Sequence, residues 1–164
     1  MSQKEKIYAF IDAQNLNLGV RSLGWELDYS KFRLYLKNKF AVSEAFMFIG
    51  FIPTSQTLYT KLQKAGFILV YKTAITYSKN GKTIIKGNVD AELVLHAAAI
   101  EYPNFDKSVI VTNDGDFLCL VQYLDKNNKL LKILAPNKKY STLYRPYRNK
   151  ILTLDLFKNS LEKK

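Results

Sequence analysis

Short apolar runs alternate along the chain with stretches of helical period. Residues 7–11 (IYAFI) are apolar and β-prone, and read as a buried strand. Residues 16–23 come next as a short helix. Ser30 stands where an N-cap would, ahead of Phe32, Leu36 and Phe40 at i, i+4 and i+8. Residues 45–52 (AFMFIGFI) form a second buried strand. Pro53 and Thr54 restart the chain into a helix with Leu58, Leu62 and Ala65 on one stripe, closed by Gly66, and residues 67–71 return as a strand. Residues 73–77 and 82–85 flank Lys79-Asn80-Gly81, a hairpin turn because Asn and Gly accept positive φ. A helix is expected from about residue 89 to 102, stopped by Pro103, then a β-branched strand over residues 108–112 (SVIVT). A helix over 116–125, a strand over 130–134, a helix near 141–147 and a strand over 151–154 complete the series. Residues 158–164 are polar and expected to fray.

This alternation, without repeats or linkers, predicts an α/β fold: a mostly parallel sheet in a three-layer αβα sandwich, one domain over residues 1–164 with its core at about 7–157. A hydrophobic fraction of 48% in 164 residues argues against wholesale disorder. No run approaches the ~18–20 apolar residues of a membrane span, and the apolar run near the N-terminus stops at Asp12, too short for a signal peptide. A single cysteine, Cys119, excludes an internal disulfide and a cysteine-based zinc site, and its setting in FLCLV suggests a core position. A cytoplasmic domain that does not enter membranes is the expectation.

Charge sharpens this. The net charge is +11, unevenly spread: residues 1–124 carry 14 basic and 11 acidic side chains, residues 125–164 carry 11 and 3. Such an excess favours polyanionic partners, although lysine-rich surfaces also serve solubility alone.

In an open α/β sheet, ligands bind beyond the carboxyl ends of the strands. The first strand runs into Asp12, with Asn15 close behind. The strand at 108–112 runs into Asn113-Asp114-Gly115-Asp116, and the long helix opens at Asn88-Val89-Asp90. Five of the eleven acids before residue 125 (Asp12, Asp90, Glu92, Asp114, Asp116) sit in these three places. Converging carboxylates repel one another unless a cation relieves them, and Mg²⁺ or Mn²⁺ suits carboxylate oxygens together with phosphate and water. Each acid also has a plainer role open to it: Asp114 or Asp116 as a helix cap, Asp90 as a partner of a helix dipole. Asp12, directly after a buried strand, is harder to dismiss.

Other chemistries lack their residues. Asn80-Gly81-Lys82-Thr83 ends like a phosphate-binding loop but has Thr76 where that loop needs glycine, and no G-x-G-x-x-G comes after the first strand. The one histidine, His96, lies in mid-helix and reads as a packed or surface helix residue rather than a base.

The segments IDAQN (11–15), KGNVD (86–90) and TNDGDF (112–117), in this order, resemble the NYN domains of the PIN-like nuclease superfamily, particularly the LabA-like or DUF88 branch. The segment Tyr140-Ser141-Thr142-Leu143, the strand after it and Asp155-Leu156-Phe157 also resemble that branch. The resemblance implies a PIN-like fold and a Mg²⁺- or Mn²⁺-dependent ribonuclease. By position, Asp12, Asp90 and Asp114 would bind the metal and Asp116 would be a further acid, either a ligand through water or a partner behind the ligands. Asn15 would orient Asp12 or contact phosphate, and Lys86 would neutralise the scissile phosphate. Glu92, two helical residues past Asp90, points about 200° away. Relatives often carry another acid where His96 stands.

Lys79, Lys82 and Lys86 lie on or beside the hairpin. Lys138, Lys139, Arg145 and Arg148 interleave with Tyr140, Tyr144 and Tyr147, a pattern suited to holding phosphates and stacking on unpaired bases. The expected partner is therefore RNA, with DNA as the alternative polymer and a homodimer left open. The rival reading is a non-catalytic RNA-binding or regulatory module on the same fold.

Overall fold

The computed structural model describes residues 3–51, 55–73, 75–86 and 88–164. The expected strands at residues 45–52 and 73–77 and the restart at Pro53-Thr54 lie partly outside them. The first strand, β1 (Ile7–Asp12), leads into α1 (Ala13–Arg21) and α2 (Tyr29–Phe40). Next come β2 (Val42–Phe51), α3 (Gln56–Ala65) and β3 (Phe67–Thr73), then the hairpin of β4 (Ile75–Lys79) and β5 (Lys82–Lys86). The chain continues through α4 (Asp90–Leu95), β6 (Lys107–Val111), α5 (Leu118–Lys126), β7 (Leu130–Ala135), β8 (Ile151–Thr153) and α6 (Lys158–Leu161).

Six strands form one sheet in the order β3-β2-β1-β6-β7-β8, every neighbouring pair parallel. The expected αβα architecture is therefore present, with the hairpin as a separate two-stranded element. The order reverses at β1: the chain first builds outward to β3, then returns to place β6 on the other side. Such a reversal leaves a crevice at the carboxyl ends of the two central strands.

Side-chain alternation assigns the two faces. Ala9, Ile11, Ala45, Met47, Val109 and Val111 pack with α1, α2 and α3. Tyr8, Phe10, Phe46, Phe48 and Ile110 pack with α4 and α5. On the first face β1, β2 and β6 present aliphatic side chains, which admit close helices, and Phe67 of β3 adds one ring beside Ala45. The second is aromatic: the Phe10 and Phe46 rings stack at 5.5 Å between centroids, with Phe105 edge-on to Phe10 at 5.4 Å.

Several local expectations shift. Asp28, not Ser30, caps α2, its carboxylate accepting from the Lys31 N–H at 3.1 Å. On α3 the buried residues are Tyr59 and Leu62, whereas Leu58 is 47% exposed. The single helix expected over 89–102 is instead α4 followed by a π-helical turn, His96–Ile100, and a short 3₁₀ turn, Tyr102–Asn104. Of the packed and surface positions open to His96, it takes the packed one, half-buried, its Nδ1–H donating to the Glu92 carbonyl at 2.8 Å and its ring edge-on to Phe48. Pro146, which lacks an N–H, sits inside a 3₁₀ helix, Thr142–Lys150. Cys119 is exposed, not core, because α5 buries Leu120, Val121 and Leu124 instead. The tail expected to fray forms α6: Leu161 is buried, its carbonyl accepts from the Asp28 N–H at 2.8 Å, and the Lys163 N–H donates to the Glu26 carbonyl at 2.9 Å.

Gly66 (φ 106°) ends α3 as expected, and Asn80 and Gly81 both take positive φ in the hairpin turn. Ala41 is less comfortable. It closes α2 at φ 58°, donating to the Leu36 and Lys37 carbonyls, in a left-handed conformation that its Cβ disfavours. Replacing it with glycine relieves that strain but adds freedom to the unfolded chain. Ala41→Gly is therefore expected to stabilise the protein by a net ~0.5–1 kcal/mol, read as a higher denaturant midpoint at unchanged slope.

Candidate metal centre

Three elements bring acidic residues to the crevice. Asp12 is the last residue of β1 and the N-cap of α1, its carboxylate accepting from the Asn15 N–H at 3.3 Å. Asp114, just beyond β6, caps a short 3₁₀ turn (Gly115–Phe117) and accepts from the Asp116 N–H at 2.9 Å. Asp90 opens α4, and its N–H donates to the Asn88 side chain at 2.8 Å. The capping roles of Asp12 and Asp114 are thus real, and they aim rather than consume the carboxylates.

One carboxylate oxygen each from Asp90, Asp114 and Asp116 lies within 4.8 Å of the other two. Asp90 and Asp114 are half-buried and Asp116 is exposed. Asp12 stands outside this triad, only 6% exposed, yet within electrostatic reach of Asp90 and Asp114. Among the described residues, no lysine or arginine forms an ion pair with any of the four. Glu92 turns aside toward Lys72, 3.8 Å away.

The electrostatics reflect this crowding. Burial pushes the Asp12 carboxyl up from its ordinary 3.8 to about 6, and the charges of Asp90 and Asp114 add to the rise; the Asn15 N–H and the Thr112 hydroxyl oppose it. Burial also raises Asp90, with Asp114 and Asp116 contributing. A divalent cation would relieve both. Three hard oxygen donors at this spacing match the needs of such an ion, so the residues fit a metal.

A polar framework holds the acids in place. The Asn15 amide donates to the Asn113 side chain at 2.7 Å, and the Asn113 N–H donates back to the Asn15 amide oxygen at 2.9 Å. Asn15 orients Asp12 through its backbone, while its side chain is spent on Asn113. The buried Thr112 hydroxyl accepts from the Asp114 N–H at 3.1 Å. Above the turn, the Ser141 N–H donates to the Asn113 carbonyl at 3.0 Å, and a Cβ added to Gly115 would meet Ser141 Oγ at 2.5 Å.

Tyr144, expected to face a base, is fully buried: its hydroxyl donates to the Asp114 carbonyl and its ring packs in the core. Burial and the nearby carboxylates raise its phenol, so it remains a donor. Sequence reasoning missed Thr112 and Asn113 as pins, although both lie inside the TNDGDF motif.

The cations are dispersed. Lys138, Lys139, Arg145 and Arg148 are exposed, Lys138 reaching Asp155 at 4.0 Å, while Tyr140 and Tyr147 pack partly against the core. Lys79 and Lys82 face each other in register across the hairpin and are exposed. Lys86 ends β5, ahead of Asp90; its side chain lies outside the described residues.

The metal-free protein offers two measurable outcomes. Tyr144→Phe keeps the ring but leaves the buried Asp114 carbonyl without its donor, so unfolding should become easier by ~1–2 kcal/mol in denaturant titration. For Asp12, a raised folded-state value means that the folded chain binds more protons than the unfolded chain between about pH 4 and 6. Stability in EDTA should therefore fall as pH rises through that window, on the order of 2 kcal/mol, and Asp12→Asn should flatten the slope.

Comparison with known proteins agrees with this geometry. The NYN domain family model matches residues 6–152. A crystal structure of a protein of unknown function from Vibrio parahaemolyticus superposes with a TM-score of 0.79 at 23% identity, covering 99% of this chain and 100% of that one, which shows a common fold. No curated protein matches the chain. Among the described residues, no helix is long and apolar enough to cross a membrane. With a family match over most of its length and an acidic cluster where the sheet order reverses, the chain belongs to the NYN domain family, within the PIN-like nuclease superfamily.

Proposed function

We propose that this chain is a Mg²⁺- or Mn²⁺-dependent endoribonuclease of the LabA-like branch. The observation that carries the reading is the convergence of the Asp90, Asp114 and Asp116 carboxylates within 4.8 Å, with Asp12 beside them and no basic partner among the described residues. Asp90, Asp114 and Asp116 would hold the ion, and Asp12 would add negative charge from beneath. A bound divalent ion supplies charge neutralisation at the phosphodiester and lowers the pKa of water.

The chain's own residues do the rest. Asn15 and Thr112 keep Asp12 and Asp114 in register across the crevice. The Asp12 carboxyl, raised to about 6, loses its proton near neutrality and more readily once a cation is near. Lys79 and Lys82 on the hairpin, with Lys86 after them, and Lys138, Lys139, Arg145 and Arg148 on the segment beside the Asp114 turn, would hold the flanking phosphates as solvated cations. This gives RNA binding a salt dependence.

The test is cleavage of end-labelled RNA by the wild-type protein and Asp114→Asn, in Mn²⁺ or Mg²⁺ and in EDTA. Wild type should leave 5′-phosphate and 3′-hydroxyl ends and fall silent in EDTA. Asp114→Asn should be slower by about two orders of magnitude or more, the loss of several kcal/mol of charge stabilisation. Equal cleavage by both proteins, or by neither over varied RNAs, refutes the assignment.

A further inference from the structure

Next to the acidic cluster, at the carboxyl end of β2, a cavity of about 680 Å³ opens between α1, the start of α2 and the first turns of α3. This is the size of a small-molecule site rather than a packing defect. Its inner end abuts the carboxylates from two sides: the lining residue Ala13 directly follows Asp12, and Val89 directly precedes Asp90.

The walls are apolar. Leu58, 47% exposed, and the half-buried Ala13, Tyr29 and Ile49 supply the accessible apolar surface, backed by the buried Met47, Phe48, Leu62 and Val89. Gln14 and Asn17, one helical turn apart on α1, bring two side-chain amides to the same space, and neither amide is spent on a hydrogen bond among the described residues. Lys61 lines the cavity without an ion-pair partner among the described residues. The acids at the far end are occupied: Glu26 pairs with Arg21 at 2.8 Å and Lys163 at 3.9 Å, and Asp28 caps α2.

Apolar walls with free amides do not suit a bare phosphate, and a stacked duplex cannot insert into a slot. They suit a flat group with apolar faces and an edge of donors and acceptors. An unstacked nucleobase has that form, and an amide, being both donor and acceptor, can pair with such an edge. We infer that this cavity is a nucleobase subsite, taking one unstacked base of a single-stranded RNA while the adjoining phosphodiester lies over Asp90, Asp114 and Asp116. The placement of the phosphodiester rests on the nuclease reading; the binding of the base does not. A protein built this way selects strands whose bases can leave the stack.

The experiment titrates the isotopically labelled full chain, in EDTA, with adenosine or uridine 5′-monophosphate and, separately, with ribose 5-phosphate, following backbone amide signals by NMR. Signals of Ala13, Asn17, Leu62 and Val89 should shift and saturate with a nucleotide but not with ribose 5-phosphate. Gln14→Ala/Asn17→Ala should weaken nucleotide binding about tenfold, the loss of one or two hydrogen bonds. Leu58→Trp, at an exposed lining position, should block it without touching the core. No shift with either nucleotide, an equal response to ribose 5-phosphate, or binding indifferent to both variants overturns the inference. RNA cleavage in Mn²⁺, measured on the same samples, separates the two readings. Cleavage without nucleotide shifts sinks the subsite alone, whereas shifts without cleavage keep the subsite and sink the nuclease.

Discussion

The parallel pairing of β1 with β6 governs the molecule. Ile7 through Ile11 align with Lys107 through Val111, so each strand's last apolar residue is level with the other's and the residues after them, Asp12 still paired with β2 and Thr112 still bonded to β7, reach the carboxyl edge of the sheet side by side. Asp12 and Thr112 are therefore neighbours by register, before any side-chain interaction is considered. Because β2 and β6 flank β1 on opposite edges, α1 and the turn after β6 diverge and leave the crevice open. Everything proposed for the chemistry depends on that register. A slip of one residue would turn Asp12 to the aliphatic face and bury it without partners.

Placing like charges at such a point costs folding energy, and the surrounding structure bears that cost locally. The reciprocal Asn15–Asn113 amide pair joins the two strand ends, the Thr112 hydroxyl serves both Asp12 and Asp114, and Tyr144 reaches from the far end of the chain to hold the Asp114 backbone. All of these groups are uncharged. A lysine in their place would relieve the repulsion permanently and leave nothing for a cation to do. Neutral donors fix the geometry while keeping the negative potential.

Much of this arrangement can be read from the amino acids, and the reason differs by level. The alternation of apolar runs and helical stripes reveals the layered fold because burial on two faces is a strong, periodic signal. The acids at 12, 90 and 114–116 stand out because an aspartate beside a buried strand is costly. Side-chain direction inside short irregular helices is not legible. A 3₁₀ start at Gly115 rotates α5 behind it, which exposes Cys119, and Pro146 holds residues 142–150 in a 3₁₀ turn that points Tyr144 inward rather than toward a ligand. Nor is the docking of the tail, since Leu161 alone carries the apolar contact and its partners lie near residues 26–28.

The Asn15–Asn113 pair joins residues 98 apart in the chain. During synthesis, β1 gains its β2 edge early, but its other edge stays bare until β6 emerges. At ribosomal speeds that gap lasts roughly 5–20 s. Throughout it, an apolar strand of five uncharged residues presents unpaired backbone to any chain nearby, including other nascent copies of itself. The β1–β6 pairing that completes the crevice is thus also what covers this edge, so changes at Asn15 or Asn113 that slow it should lower the yield of soluble protein.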